Sequence, residues 1–180
     1  MNNEHATMLQ EAGELDRNPI GLPQEAAEVI VDDLNRHVAS LFVLFHQYQK
    51  HHWLVEGPLF RDLHLYLEEA YRQVHADLDE AAERITVLGG VPVGSPERQV
   101  ALARVASEPE GVFPVRDMLL ADLRAEQTII GALRESIRHA REQGDYGTER
   151  LLKKLLYHAE ERAHHLDHYL QRNTLTPESA

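Results

Sequence analysis

The chain contains no cysteine. That removes disulfides, thiolate zinc sites and thiol catalysis together, and leaves histidine, aspartate and glutamate as its strong metal ligands, a set suited to hard or borderline ions such as iron or zinc. No apolar run approaches the roughly 20 residues that a bilayer-crossing helix needs. The N-terminus MNNEHATMLQEAGELD has neither the basic start nor the apolar centre of a secretion signal, so a cytoplasmic protein without membrane contact is expected. Aromatics make up only 6% of residues, with one tryptophan, Trp53, expected as an ordinary core residue. Positive charge is in short supply: 18 Lys and Arg face 30 Asp and Glu, a formal charge of −12, which repels nucleic acid and attracts cations. There is no glycine-rich phosphate loop after a strand, no arguable Ser-His-Asp arrangement, no repeat and no low-complexity segment.

What remains is 180 residues with 43% hydrophobic content, enough for one full core. Periodicity predicts four long helices, over about 23–50, 58–88, 114–143 and 145–171. Gly57-Pro58 opens the second and Gly89-Gly90 with Pro92 closes it; Gly144-Asp145 reads as a helix stop followed by an N-cap. The interval from Gly89 to Phe113 is rich in glycine and proline and reads as a crossover, with a short helix in PERQVALARVA. Short connections elsewhere imply antiparallel neighbours, and one long crossover is the ferritin-like arrangement of an all-α four-helix bundle. The division expected is a flexible acidic N-terminal tail over 1–22, the bundle over 23–171 and a short C-terminal tail over 172–180.

The second helix carries the chemistry. Taking about 100° per residue from His64, His75, Glu68, Asp79 and Glu83 fall within about 100° of it, beside the apolar arc of Leu67, Tyr71, Val74, Leu78 and Ile85. A solvated charge face is the plain explanation of such a stripe. Against it stand the two histidines, the position beside the core and the lack of interleaved lysine for i,i+4 ion pairs. His64 and Asp79 are 15 positions apart, about 22 Å along the axis, whereas metal–ligand bonds are about 2 Å, so one helix cannot close a site. An antiparallel second copy crossing near residue 73 or 74 would set His64 and Glu68 of one chain against Asp79 and Glu83 of the other, giving two equivalent sites across a two-fold axis. His52, at the end of the preceding helix on the face of Leu34, Val38, Leu41, Phe45 and Tyr48, reaches the same place.

These residues carry a resemblance. HHWLVEGPLFRDLHLYLEE followed by DLDEAAERITVLGGVP resembles the H-W-N-x-G-x-x-F-x-x-L-H and D-x-x-x-E-R-x-x-x-L-G-G-x-P signatures of the Dps proteins, ferritin-like DNA-binding proteins from starved cells, and the pattern extends over about residues 25–171. The resemblance implies a hollow homododecamer with di-iron ferroxidase sites at two-fold interfaces, His52, His64 and Glu68 being one chain's ligands and Asp79 and Glu83 the partner's. It implies oxidation of iron(II), by hydrogen peroxide in preference to dioxygen, storage of the ferric mineral and protection from oxidative stress. The alternative is a non-enzymatic shell that sequesters metal or coats DNA. The family most often has aspartate where Glu68 stands and asparagine where Leu54 stands; glutamate keeps the ligand atom and lengthens its reach.

Other histidines admit more than one reading. His75 lies on the stripe near the crossing point, and His164 falls where many relatives place an aromatic residue close to the metals. Both are candidate ligands, and extra imidazoles would draw zinc to the same site; both are equally expected as hydrogen-bonded structural residues. Glu161 and His164 form an E-x-x-H, the ligand pair of single-chain di-iron bundles, but the first helix offers only His52 inward to complete it. His164 and His168 form an H-x-x-x-H of the kind found in DinB-like bundles, whereas His165 and His168 otherwise read as surface residues. By position in the family, Asp145 and Glu149 are candidates for an iron-entry pore. Some relatives bind DNA through a lysine-rich N-terminal tail; here Glu4, Glu11, Glu14 and Asp16 face Arg17 alone, so DNA binding is not expected.

Overall fold

A computed structural model describes residues 7–171. Five helices and no strand lie among them: α1 (Gln24–Leu54), α2 (Phe60–Val87), α3 (Pro96–Leu102), α4 (Val115–Glu142) and α5 (Tyr146–Leu170). α1 packs along α2 and α4 along α5 as two hairpins; α1 against α4 and α2 against α5 join them into a four-helix bundle, and the crossover lays α3 on α1. Leucines at helical spacing, among them Leu34, Leu44, Leu63, Leu67, Leu133 and Leu152, fill the centre. None of these helices is long and apolar enough to cross a membrane.

The punctuation read from the sequence sits where the helices begin and end. Gly144 takes φ +72° after α4, and the Asp145 carboxylate accepts the Thr148 N–H at 2.9 Å as the N-cap of α5. α1 runs four residues past the expected Lys50. The side chain of His51 explains the extension: fully buried, it is held between Asp122 (2.9 Å) and Glu108 (3.1 Å), which fixes the last turn. Residues 1–6 of the expected N-terminal tail and the whole of the expected C-terminal tail, 172–180, lie outside the described residues. The described part of the N-terminal tail, from Thr7 onward, is hydrogen-bonded to the bundle: Asp16 N–H and Gln10 Nε2 both donate to Gly89 O at 2.8 Å. Gly89 holds φ +85°, and a Cβ there would meet Asp16 O at 2.1 Å, so only glycine admits this contact.

Through the core runs a polar layer. The buried Arg162 guanidinium donates to Glu126 Oε1 at 2.5 Å, to Gln73 Oε1 at 2.9 Å and to Asp77 Oδ2 at 3.2 Å. Tyr48 Oη donates to Glu126 at 2.9 Å, and His158 Nδ1 lies 2.7 Å from Asp77. Gln47 and His51 engage Asp122, and His37 Nε2 lies 2.9 Å from Ser136 Oγ. No buried side-chain nitrogen or oxygen among the described residues lacks a partner, as burial requires. Two expectations are thereby corrected. α1 turns His37, Gln47 and His51 inward, not His52 alone. Trp53 is 67% exposed instead of a core residue, because the last turn of α1 turns it away from the bundle. The E-x-x-H of a single-chain di-iron site is absent from the interior: Glu161 and His164 face outward and Arg162 between them faces in.

Burial lowers the His37 pKa to about 4, more than the nearby Asp33 charge raises it. A histidine neutral in the fold and protonated in the unfolded chain contributes stability that is fully present above about pH 6.5 and is lost as pH falls through 4. The loss is expected to reach roughly 3 kcal/mol at about 1.4 kcal/mol per pH unit. Denaturant unfolding of the assembled protein at fixed concentration between pH 7 and 4 should therefore show a shallower acid limb for His37→Gln than for the parent chain.

Candidate metal centre

The site is built where α1 hands over to α2. The loop from Val55 to Leu59 is tight, with Phe60 N–H donating to Gly57 O at 3.0 Å, and it brings the last turn of α1 beside the second turn of α2. There His52 and His64 face each other with ring centroids 3.7 Å apart and planes 22° from parallel. Their hydrogen bonds are reciprocal: His52 Nδ1 lies 2.9 Å from His64 O, and His64 Nδ1 lies 2.9 Å from His52 O. A carbonyl oxygen only accepts, so each neutral ring carries its proton on Nδ1 and is left with the Nε2 lone pair. Fixing the tautomer by a backbone carbonyl is how proteins prepare histidine for a metal. Here each candidate ligand prepares the other.

An aromatic wall backs the pair. Tyr71 meets His52 edge-on at 5.4 Å, Phe60 lies 4.9 Å from His64, and Phe45 contacts Tyr71 at 5.9 Å and His75 at 5.3 Å. One helical turn beyond His64, Glu68 is paired with Arg72. The stripe lacks lysine but not an i,i+4 cation, and the E-x-x-x-R spacing was the signal for it. His75, Asp79 and Glu83 follow on α2, all exposed. Among the described residues no three histidine, aspartate or glutamate side chains gather closely enough to hold a metal ion.

The remaining candidates lie elsewhere. His164 is exposed on α5, its ring 4.3 Å from His168 and 6.0 Å from His165, and it lines a cavity that includes none of His52, His64 or Glu68. Within one chain, His164 thus does not join His52 and His64 in a single centre. Asp145 is buried and spent on the α5 cap, accepting from Thr148 Oγ1 at 2.5 Å and from Arg84 at 2.7 Å. Glu149 is held by Lys153 and Arg141, both at 2.7 Å, which keep its carboxyl below the usual range. Sequence reading missed His51, which anchors the turn that carries His52; the charges and hydrogen bonds of Asp122 and Glu108 outweigh its burial and hold its pKa above the ordinary value.

Arg72 competes with any metal that Glu68 serves. The pair is half in solvent, with Arg72 69% exposed, so the competition is worth no more than about 1 kcal/mol. Arg72→Gln is expected to tighten anaerobic iron(II) binding, measured by calorimetry, by up to about fivefold. An unchanged affinity would place Glu68 outside the site.

Comparison with known proteins identifies the family of this fold. The ferritin-like domain family matches residues 31–175. The "DNA protection during starvation protein" of Halobacterium salinarum is 43% identical over 170 residues, covering 94% of this chain and 93% of that protein. The crystal structure of an archaeal Dps homologue from the same organism superposes with a TM-score of 0.93 at 41% identity, over 97% of each chain. A Dps protein from Vibrio cholerae, described as a member of a broad superfamily of ferritin-like diiron-carboxylate proteins, superposes at 0.82 with 25% identity, over 88% of this chain and 99% of that one. With its bundle, its crossover and its paired histidines at the α1–α2 corner, the chain belongs to the Dps family of ferritin-like proteins.

Proposed function

We propose that this protein stores iron and detoxifies it, oxidising iron(II) at sites shared between two chains of a hollow homododecamer. Iron is substrate and cargo. Two iron(II) ions each give up one electron; hydrogen peroxide accepts both, its O–O bond breaks, and two protons complete two waters, so no hydroxyl radical is released. Carboxylate ligands favour the oxidised ion, and the protein supplies the geometry in which the metal does the redox work. His52, His64 and Glu68 come from one chain and Asp79 and Glu83 from its partner. A cytoplasmic location is part of this reading.

The observation that carries it is the His52–His64 pair, with both Nε2 lone pairs free at an accessible corner. Two imidazoles and one carboxylate make half a di-iron site, and Asp79 and Glu83 lie too far along the same helix to supply the other half to it. An antiparallel copy of α2 brings them across, and an isologous contact yields two such sites. Arg162 supports the same placement, since a guanidinium already fills the polar centre of the bundle, bonded to Glu126 and Asp77.

The test is complementation. His52→Ala/His64→Ala and Asp79→Ala/Glu83→Ala proteins should each lose fast peroxide-dependent appearance of ferric iron. In a mixed dimer one interfacial site keeps all its ligands and the other only Glu68, so random co-assembly of equal amounts should restore about a quarter of the sites. Confirmed mixing, by native mass near 246 kDa for twelve chains of 20.5 kDa, without any recovery would count against a shared site.

A DNA-coating shell is the competing reading, since the Halobacterium relative is called a DNA protection during starvation protein. Charge opposes it: twelve copies at −12 each carry about −144. The assembled protein should leave duplex DNA unretarded at about 150 mM salt, where charge is screened beyond about 8 Å but not abolished. A band shift there, together with slow iron uptake, would favour the coating shell.

A further inference from the structure

A second cluster of imidazoles lies away from the His52–His64 corner, in the groove between α2 and α5. His164 and His168 are four residues apart on α5, one above the other on its exposed face, with ring centroids 4.3 Å apart. Helical residues at i and i+4 are neighbours, and the same spacing lets two histidines of one helix grip a single zinc ion. The pair lines a cavity of about 680 Å³ whose opposite wall is α2, with Asp62 and Glu69. A smaller cavity continues the groove, shares Tyr66, Glu69 and His165 with the first, and adds His158 and Glu161.

The combination of paired imidazoles with a cation-free acidic lining sets this groove apart from an ordinary solvated face. Several carboxylates outside it are held by cations, Glu68 by Arg72, Glu80 by Lys154 and Glu160 by Arg134, whereas no salt bridge holds Asp62 or Glu69 among the described residues. Around the larger cavity there is neither lysine nor arginine. Its field is felt by Tyr169, whose hydroxyl is held above its ordinary range by burial first and by the Asp62 and Glu69 charges after it. The groove thus offers a divalent cation two nitrogen donors side by side and a negative field, with room for water in the remaining positions.

We propose that His164 and His168 chelate a late first-row divalent cation, zinc(II) in the first instance, in the α2–α5 groove, with Asp62 and Glu69 supplying the balancing charge. Nitrogen ligands select zinc, copper(II) or nickel(II) over iron(II) by the Irving–Williams order. Water, or one carboxylate swung in from α2, completes the tetrahedron that zinc prefers. The site is distinct from the iron centre proposed above and does not depend on it. Its consequence for iron chemistry is that zinc has a place to bind other than the His52–His64 corner.

The test is a zinc(II) titration by calorimetry, with cobalt(II) as a visible-spectrum probe, on the full-length assembled protein and three double variants. These are His52→Ala/His64→Ala, His164→Ala/His168→Ala and Asp62→Asn/Glu69→Gln. His164 and His168 are exposed, and circular dichroism with native mass will show that their replacement leaves the fold and assembly intact. The His52→Ala/His64→Ala protein should keep one zinc per chain in the groove. His164→Ala/His168→Ala should weaken that zinc at least about tenfold, since loss of a ligand costs no less than loss of the ligand's hydrogen-bond partner. Cobalt bands sensitive to the same substitution are expected, and a smaller loss in Asp62→Asn/Glu69→Gln. Equal zinc affinity and stoichiometry in the parent and in His164→Ala/His168→Ala would overturn the proposal, as would zinc binding abolished by His52→Ala/His64→Ala alone. Failure of the iron reading would appear separately, as undiminished iron oxidation in His52→Ala/His64→Ala.

Discussion

The buried guanidinium of Arg162 is the constraint around which the bundle is organised. It reaches Glu126 on α4 and Asp77 and Gln73 on α2 from its own place on α5, and Tyr48 on α1 completes the layer through Glu126. Four helices are thereby tied at one level. Such a layer adds less to net stability than a well-packed apolar core would, but removing one partner leaves a buried charge uncompensated at a cost of about 3–5 kcal/mol. It therefore acts on register, because these partners meet only when all four helices are correctly aligned.

In our reading, a fixed cation in the interior leaves the outside of the bundle for metal chemistry. In single-chain di-iron bundles the carboxylates and histidines project inward from facing helices. Here the inward position on α5 is Arg162, while its neighbours Glu161 and His164 face solvent. The histidines prepared for a ligand lie instead at the α1–α2 corner, where each ring is oriented by the other's backbone carbonyl. That arrangement costs no additional side chain and depends on the short Val55–Leu59 connection that sets the two helices side by side. It is also incomplete within one chain, which in our reading makes oxidation a property of the assembly.

Much of this was legible in the sequence, for identifiable reasons. Glycine and proline act locally, so Gly89-Gly90, Pro114 and Gly144-Asp145 marked helix ends to within a few residues. The stripe on α2 was legible because 3.6-residue periodicity places His64 and Glu68 on one face whatever the rest of the fold does. The polar core was not, because its partners are remote: His51 to Asp122, Gln47 to Asp122 and Tyr48 to Glu126 are separated by 71, 75 and 78 positions. Nor could composition show which of Glu161, Arg162 and His164 turns inward. Adjacent residues differ by about 100° of helix phase, and only the packing of α5 against α2 and α4 decides it. Trp53 was misjudged for a related reason: aromatic character predicts burial on average, whereas its position one residue after a half-buried histidine faces it outward.

The central claim is that iron is bound between chains and not within one. Crystals of the assembled protein soaked anaerobically with iron(II), with data collected on both sides of the iron absorption edge, test it most directly. The account predicts anomalous peaks about 2 Å from His52, His64 and Glu68 of one chain and from Asp79 or Glu83 of its two-fold partner. Iron found inside the bundle beside Glu126 and Asp77, or bound at the His52–His64 corner without any ligand from a second chain, would contradict it.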